Sequence, residues 1–153
     1  MTPESWEQHI AVNLRAPLFL SQHFAAALPA DRNGAIINLI DQRVHKLTPH
    51  FFSYTLSKAA LWTATRTLAQ ALAPRIRVNA IAPGPTLPNA RQGEENFARE
   101  SSATLLGRGP EPVEIAAAVR FILDAPSLTG QMIALDGGQH LVWQTPDIVG
   151  ASD

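Results

Sequence analysis

The fold is decided by a short apolar stretch, AIINLI, which spans residues 35 to 40 and ends directly before Asp41. An apolar run of this length that follows a turn signal, here Asn33-Gly34, is typical of a strand buried on both faces of a parallel sheet. We therefore predict a strand over residues 35–40. The segments on either side of it indicate which kind of sheet this strand belongs to.

Helix and strand signals alternate outward from this strand. Upstream, Thr2 can cap a helix in which Pro3 occupies the first turn and which runs to about Leu28. Downstream, hydrophobic periodicity predicts further elements: a helix over 54–72, a strand over 76–82, a helix over 112–123 and a strand over 131–135. This alternation predicts an α/β fold with a parallel sheet and right-handed crossovers.

Composition restricts the class of protein. The 153 residues are 46% hydrophobic and 16% charged, so we expect a single domain with one core. A formal charge of -1 without a basic block argues against a nucleic-acid or anionic-membrane partner. No apolar run reaches the roughly 20 residues of a membrane span, cysteine is absent, and the five histidines lack metal-ligand spacing. Without a signal peptide at the N-terminus, we expect a cytoplasmic protein.

The sequence YTLSK, residues 54–58, places a phenol and an ammonium four residues apart on the predicted second helix. Residues at this spacing share a helix face, and an ammonium near a phenol favours the phenolate. Lys58 is therefore expected to lower the pKa of Tyr54 from roughly 10, so that the phenol can transfer protons near neutrality. The alternative is an exposed pair without a function, since this spacing is common by chance.

Asn13 is an unusual residue for the first predicted helix. It lies on the same stripe as Ile10 and Leu14, where a buried amide costs free energy unless it finds partners. Pro17 has no N–H, so the main-chain carbonyl of Asn13 is released from the helix ladder and can accept from water or a side chain. This predicts a polar group inside a core helix, and the alternative is a kink with a satisfied Asn.

A third polar feature lies at the end of the strand predicted over 76–82. Residues 79–84 run to its carboxyl end, where open parallel sheets bind ligands. Pro83-Gly84-Pro85 then breaks the chain, and the polar stretch up to Pro110 has the character of a mobile flap with some helix. Backbone groups at this position could hold an amide, and the alternative is a simple Pro-Gly turn.

Together these features resemble the short-chain dehydrogenase/reductase family. The resemblance rests on five segments in the family's order: VNLRAP (12–17), the strand before Asp41, YTLSK (54–58), RVNAIAPGPT (77–86) and TGQMIALDGGQ (129–139). It covers nearly the whole chain but only the carboxyl-terminal half or more of the family's domain. It implies one partial domain over residues 1–153, an incomplete doubly wound (Rossmann) parallel sheet with helices on both faces.

The resemblance also implies roles for individual residues. Tyr54 would be the general acid, Lys58 would lower its pKa and bind the nicotinamide ribose, and Asn13 would anchor the water of a proton relay. The segment that would contact the cofactor's carboxamide and phosphates comprises Pro83, Gly84, Thr86 and Leu87. Residues 87–110 would form the substrate flap. Separately, we expect residues 144–153, which follow Trp143, to form a loosely held tail.

Asp41 departs from the family pattern, because it stands where the family usually has its catalytic Ser. Together with DGGQHL (136–141), it is similar to pteridine reductases, which reduce dihydropterins with NADPH. A carboxylate can accept hydrogen bonds from the N–H donors of an aminopterin ring and help to deliver a proton. We therefore expect a metal-free, NADPH-dependent reductase in which Asp41 and Tyr54 contact a pterin-like substrate. The alternative for Asp41 is a cap on the following loop.

A second departure concerns the cofactor. No glycine-rich strand-to-helix loop precedes Thr2, although that loop supplies N–H groups to the pyrophosphate in the family. We expect in-frame coding sequence upstream of Met1 that contains a TGxxxxxG-like loop, and a stop codon there would contradict this. Residues 35–40 would otherwise form an unpaired apolar edge, prone to aggregation or domain swapping. NADPH rather than NADH rests on the resemblance alone.

Two alternative functions stay open. The first is a catalytically inactive chain that acts as an interaction module, because the helices that match residues 3–28 and 54–72 pair across subunits in the family. The second is a carbonyl reductase of the same family that acts on a 3-oxoacyl or sugar substrate. The resemblance implies a homo-oligomer, specifically a tetramer.

Overall fold

A parallel three-stranded sheet forms the centre of the computed structural model, which describes residues 1–88 and 93–150. The strands are β1 Gly34–Leu39, β2 Ile76–Pro83 and β3 Met132–Leu135. They stand in the order β1-β2-β3, and β2 pairs in parallel with both neighbours. The predicted strands are confirmed, with ends that differ by one residue.

Within the described residues, five α-helices accompany this sheet. They are α1 Pro3–Ile10, α2 Ala16–Ala27, α3 Phe52–Leu72, α4 Glu94–Ser102 and α5 Pro112–Asp124. Short 3-10 turns follow β1 and β3, at Gln42–Val44 and Gln139–Leu141. None of the helices in the described ranges is long and apolar enough to cross a membrane.

The first helical region is not the single α-helix that was predicted over residues 3–28. A π-helical turn, Ala11–Arg15, joins α1 to α2, and the helix ends at Ala27. Pro17 is the physical cause, because it cannot donate to the carbonyl of Asn13 and the ladder must widen nearby. The N–H of Ala16 accordingly donates to the carbonyl of Ala11, five residues earlier.

Helix α3 begins at Phe52, two residues before the predicted start at Tyr54. The residue before it, Phe51, has a left-handed backbone with φ of 57° and provides no side-chain cap. The start of this helix therefore carries none of the Ser, Thr, Asp or Asn signals from which helix starts are predicted.

The core lies on both sides of β2. On one side the fully buried Val78, Ala80 and Ala82 belong to the two apolar clusters that include α3 residues. On the other side lies α5, and the Nη1 of Arg77 in β2 donates to the carbonyl of Ile122 at 2.9 Å. Helices therefore cover both faces, as the fold class predicts.

The carboxyl ends of the three strands meet at one edge, and this places the polar loops together. Asp41 follows β1, Gly84 follows β2 and Asp136 follows β3. The N–H of Gly84 donates to the carbonyl of Leu135 at 2.9 Å, which holds the second and third of these loops side by side.

The predicted flap and tail are described only in part. The flap region, residues 87–110, contains α4, while its residues 89–92 lie outside the described residues. The tail, residues 144–153, is described as far as residue 150. Both assignments stay predictions.

Candidate active site

Tyr54 and Asp41 form the centre of the candidate site. Tyr54 lies in the first turn of α3, and its hydroxyl donates to Oδ2 of Asp41 at 2.8 Å. The other carboxylate oxygen, Oδ1, accepts from the backbone N–H of Arg43 at 2.8 Å. Asp41 therefore does cap the loop after β1, and the same carboxylate also binds the phenol of Tyr54.

The pKa of Tyr54 moves in the direction opposite to the one predicted. Burial of the phenol first, and then the negative charge of Asp41, raise the pKa of Tyr54 well above its ordinary value. The physical reason is that burial disfavours the charged phenolate, and that the hydrogen bond to a carboxylate further stabilises the protonated form. The expected lowering by Lys58 is not present in this structure.

Lys58 is directed at the end of β1. Its Nζ donates to the main-chain carbonyl of Leu39 at 2.8 Å and lies 5.8 Å from the centroid of the Tyr54 ring. Burial lowers the pKa of the Lys58 ammonium, while the Asp41 carboxylate acts in the opposite direction. Lys58 thus shares a helix face with Tyr54, as the four-residue spacing predicts, and uses one donor on the strand.

Asn13 lies in the π-helical turn and is satisfied by α3. Its Nδ2 donates to Oγ of Ser57 at 3.1 Å, and that hydroxyl donates to the main-chain carbonyl of Tyr54 at 2.7 Å. Asn13 and Lys58 both line a cavity of about 370 Å³ next to β1. The side-chain amide of Asn13 is therefore satisfied by α3, and the role of Asn13 in a proton relay stays a prediction.

A larger cavity, of about 1150 Å³, lies at the edge where the strands end. Its wall contains six of the predicted site residues: Asp41, Tyr54, Pro83, Gly84, Thr86 and Leu87. The structure therefore brings the proposed proton-transfer pair and the segment after β2 into one cavity. Asn13 and Lys58 line the smaller cavity instead.

The segment after β2 is held by its packing against β3. A side chain at Gly84 would meet the backbone Cα of Asp136 at 2.7 Å, closer than real contacts allow. The hydroxyl of Thr86 donates to the carbonyl of Gly84 at 3.0 Å, and Leu87 is 67% exposed. Gly84 is thus required by close packing, and this packing positions Thr86 and Leu87 on the cavity wall.

The cavity also contains charged residues that the sequence did not indicate. Nη2 of Arg43 binds Oε1 of Glu100 on α4 at 3.2 Å, and Nε2 of Gln139 donates to the same oxygen at 3.0 Å. The guanidinium of Arg43 lies 4.4 Å from the centroid of the Phe51 ring. These contacts tie the loop after β1 to α4 and to the turn after β3.

His9 of α1 is a further wall residue that sequence reasoning missed. Its Nδ1 and the hydroxyl of Ser53 share a hydrogen bond of 2.8 Å, and its ring centroid lies 5.7 Å from that of Tyr54. Its position at the end of α1 gave no signal, because its partners come from α3. Among the described residues, no three His, Asp or Glu side chains converge as ligands for a metal ion.

Comparison with known proteins identifies the family. The family described as enoyl-(acyl carrier protein) reductase matches residues 1–140. The chain belongs to the short-chain dehydrogenase/reductase family. This confirms the resemblance that was drawn from the five sequence segments.

Individual members of this family show the range of substrates. The chain is 37% identical to galactitol 2-dehydrogenase (L-tagatose-forming) of Cereibacter sphaeroides over 91% of its length and 58% of the relative's. It is 32% identical to dihydromonapterin reductase of Citrobacter koseri over 85% of its length and 55% of the relative's. The chain thus spans a little more than half the length of these two relatives.

A solved structure is more similar. The FolM alternative dihydrofolate reductase 1 from Brucella suis, in complex with NADP, is 60% identical to this chain with a TM-score of 0.93. The match covers 97% of this chain and 60% of that one.

Proposed function

We propose that the protein carrying this chain is an NADPH-dependent reductase of a dihydropterin or related pteridine. The observation that carries the proposal is the 2.8 Å hydrogen bond from the hydroxyl of Tyr54 to Asp41, in the wall of a cavity of about 1150 Å³. The dihydromonapterin reductase and FolM relatives, the second of them in complex with NADP, support the substrate class and the cofactor.

Asp41 and Tyr54 divide the work of binding and proton transfer in this proposal. The carboxylate of Asp41 accepts hydrogen bonds from the N–H groups of the pteridine ring. In this proposal Tyr54 donates a proton to the ring nitrogen next to the carbon that is reduced. The raised pKa keeps the phenol protonated but makes it a weaker acid, so the transfer requires that the ring N–H groups first displace the phenol from Asp41.

The donors at the site fit a nicotinamide nucleotide. The Lys58 ammonium has three N–H donors, and its bond to the carbonyl of Leu39 uses one, so ribose hydroxyls can take the others. Pro83, Gly84, Thr86 and Leu87 would hold the carboxamide and phosphate side, and the carbonyl of Asn13 would anchor a relay water. When bound, the cofactor supplies the hydride.

The proposal is tested by substrate preference. Consumption of NADPH is followed with a dihydropterin, a 3-oxoacyl thioester and a keto sugar, each at several concentrations. We expect kcat/KM to be at least about tenfold higher for the dihydropterin, because its ring N–H groups can donate to the Asp41 carboxylate and a ketone oxygen cannot. Equal or faster turnover of either ketone would overturn the proposal.

A carbonyl reductase is the second candidate, favoured by the 37% identity to galactitol 2-dehydrogenase. A ketone oxygen needs a hydrogen-bond donor, and Asp41 as a carboxylate supplies only acceptors. Asp41→Ser restores a hydroxyl at this position. If the protein turns over a ketone only after this substitution, the natural chain is not a carbonyl reductase.

We also propose that residues 87–110 form the substrate flap, and that the protein is a cytoplasmic homo-tetramer. For the flap, the support is that α4 contributes Asn96, Arg99 and Glu100 to the cavity wall. For the tetramer, apolar side chains are exposed on the helices that pair in the family, with Phe19 at 55% and Leu56 at 41%. Light scattering that finds a monomer at all concentrations would contradict the tetramer.

A further inference from the structure

We propose that Arg99 forms a subsite for a carboxylate and selects a pteridine with an anionic tail over one with a neutral tail. This inference rests on the proposed function and deepens it. Dihydrofolate carries a tail with two carboxylates, whereas the tail of dihydromonapterin is hydroxylated and uncharged. The same ring can therefore be bound with or without a counter-ion for the tail.

Charged side chains that line the large cavity bind one another. The Asp41 carboxylate receives hydrogen bonds from Tyr54 and from the backbone of Arg43. The guanidinium of Arg43 is paired with Glu100 at 3.2 Å, with only 20% and 27% of the two side chains exposed. Among the described residues that line this cavity, Arg99 is the arginine without a carboxylate partner. Its charge is available to a ligand.

Arg99 itself contacts an uncharged side chain. Nη2 of Arg99 donates to Oδ1 of Asn96, one turn earlier on α4, at 2.8 Å. Asn96 is uncharged, so it can orient the guanidinium without neutralising it. In residues 1–88 and 93–150, no carboxylate lies within ion-pair distance of Arg99. An oriented guanidinium of this kind can bind a carboxylate through two parallel N–H donors.

The pteridine ring and its charged tail must bind at different parts of the cavity wall. A pteridine bound through its N–H groups to Asp41 cannot place a carboxylate there, because two negative charges would repel each other. The anionic end must lie at another part of the wall, next to a cation. Both Asp41 and Arg99 line the cavity of about 1150 Å³, so one ligand can contact both residues.

The test compares two ligands that share the ring and differ in the tail. Dissociation constants for dihydrofolate and dihydromonapterin are measured by titration calorimetry on the protein saturated with NADP, so that no reduction occurs. The variants are Arg99→Gln, which removes the charge, and Arg99→Lys, which keeps it. Arg120→Gln on α5 is the matched control, since Arg120 is also exposed but does not line the cavity.

The inference predicts a selective loss. In Arg99→Gln the dissociation constant of dihydrofolate should rise roughly fivefold to tenfold, and that of dihydromonapterin should stay within about twofold. Arg99→Lys should recover part of the affinity, and Arg120→Gln should change neither ligand. Added salt should weaken dihydrofolate binding more than dihydromonapterin binding.

The contrary outcomes separate the two proposals. If Arg99→Gln weakens both ligands equally, Arg99 only holds α4 in place and the subsite is refuted. If dihydrofolate binding is unchanged, the subsite is refuted while the proposed function stands. If the natural chain binds neither pteridine, the proposed function fails and the subsite fails with it.

Discussion

At the scale of single residues, the hydrogen bond from Tyr54 to Asp41 determines which proton transfers the site can perform. A phenol near an ammonium alone would approach the phenolate and serve as a base. Here the phenol is buried and donates to a carboxylate, so both effects raise the pKa of Tyr54. Tyr54 is therefore protonated in this structure, and under the proposed function its transfer of that proton requires the bond to Asp41 to be released.

The ionisation of Tyr54 can be measured directly, because it is the sole tyrosine among the 153 residues. We expect no phenolate absorbance near pH 10, where a free tyrosine ionises. Since the unfolded chain loses its proton there first, stability should fall as the pH rises above about 10. Phenolate should then appear together with loss of the helical circular dichroism signal.

The variant Asp41→Asn provides the control for this titration. It removes one cause of the raised pKa and leaves burial, so phenolate should appear at a lower pH than in the natural chain. If the natural chain forms phenolate well below pH 10 while its helices are intact, Lys58 does lower the pKa and the arrangement described above is wrong.

The kinetic consequence of this pair is a second prediction at the residue scale. Tyr54→Phe removes the proton donor, so turnover of dihydropterin should fall by roughly 10²–10⁴-fold. The affinity for NADPH should stay within about twofold. Lys58→Ala is the contrasting variant and should weaken both turnover and NADPH binding. Normal turnover by Tyr54→Phe would show that another group supplies the proton.

At the scale of elements, local chemistry explains why much of the fold follows from sequence. Pro17 predicts a released carbonyl at Asn13, and the structure has a π-helical turn at residues 11–15. The apolar runs predict the strands because burial on both faces selects such composition. The predicted start of α3 at Tyr54 was wrong. The preceding loop ends at Phe51, which has a left-handed backbone, and a phenylalanine in the sequence does not indicate this conformation.

The site follows from sequence only in part, for a geometric reason. Asp41 and the segment 83–87 were predictable as neighbours because carboxyl ends of parallel strands meet at one edge. The direction of the Lys58 side chain was not predictable, since its acceptor, the carbonyl of Leu39, belongs to another element. The pair of Arg43 with Glu100 joins residues 57 positions apart, and no local pattern indicates such a contact.

Helix α5 supplies a prediction about pH at this scale. Its first turn contains Glu114, which binds Arg108 at 2.8 Å and accepts from the backbone N–H of Glu111 at 2.8 Å. These bonds, the Arg108 one first, lower the pKa of Glu114 from 4.5 to about 2. A lowered carboxyl pKa contributes stability above 4.5 that is lost as the pH falls toward 2.

The melting temperatures of the natural chain and of Glu114→Gln should therefore differ at neutral pH and converge at about pH 2. Glu95→Gln, at an exposed position of α4, is the control and should show no such convergence. A difference that persists unchanged at low pH would mean that Glu114 acts through packing and not through its charge.

At the scale of the whole molecule, the sheet has an edge with apolar surroundings. Within the described residues β1 pairs with β2 alone, and its last residue, Leu39, is 52% exposed. Beside it lies the cavity of about 370 Å³, whose wall includes Leu20 and Phe24 of α2. An unpaired strand edge next to exposed apolar side chains is a template for association with another chain.

We therefore expect the purified 153-residue chain to self-associate through this edge. Leu20→Lys places a charge in the contact and removes the burial of a Leu side chain, so the dissociation constant should rise at least about tenfold. Leu106→Lys is the matched control, because Leu106 is 74% exposed but does not line the cavity next to β1. Association is measured by light scattering over a concentration series. Equal weakening by both substitutions would show a nonspecific effect of the added charge. If Leu20→Lys has no effect, the chains associate through another surface. Either result would exclude the β1 edge as the contact surface.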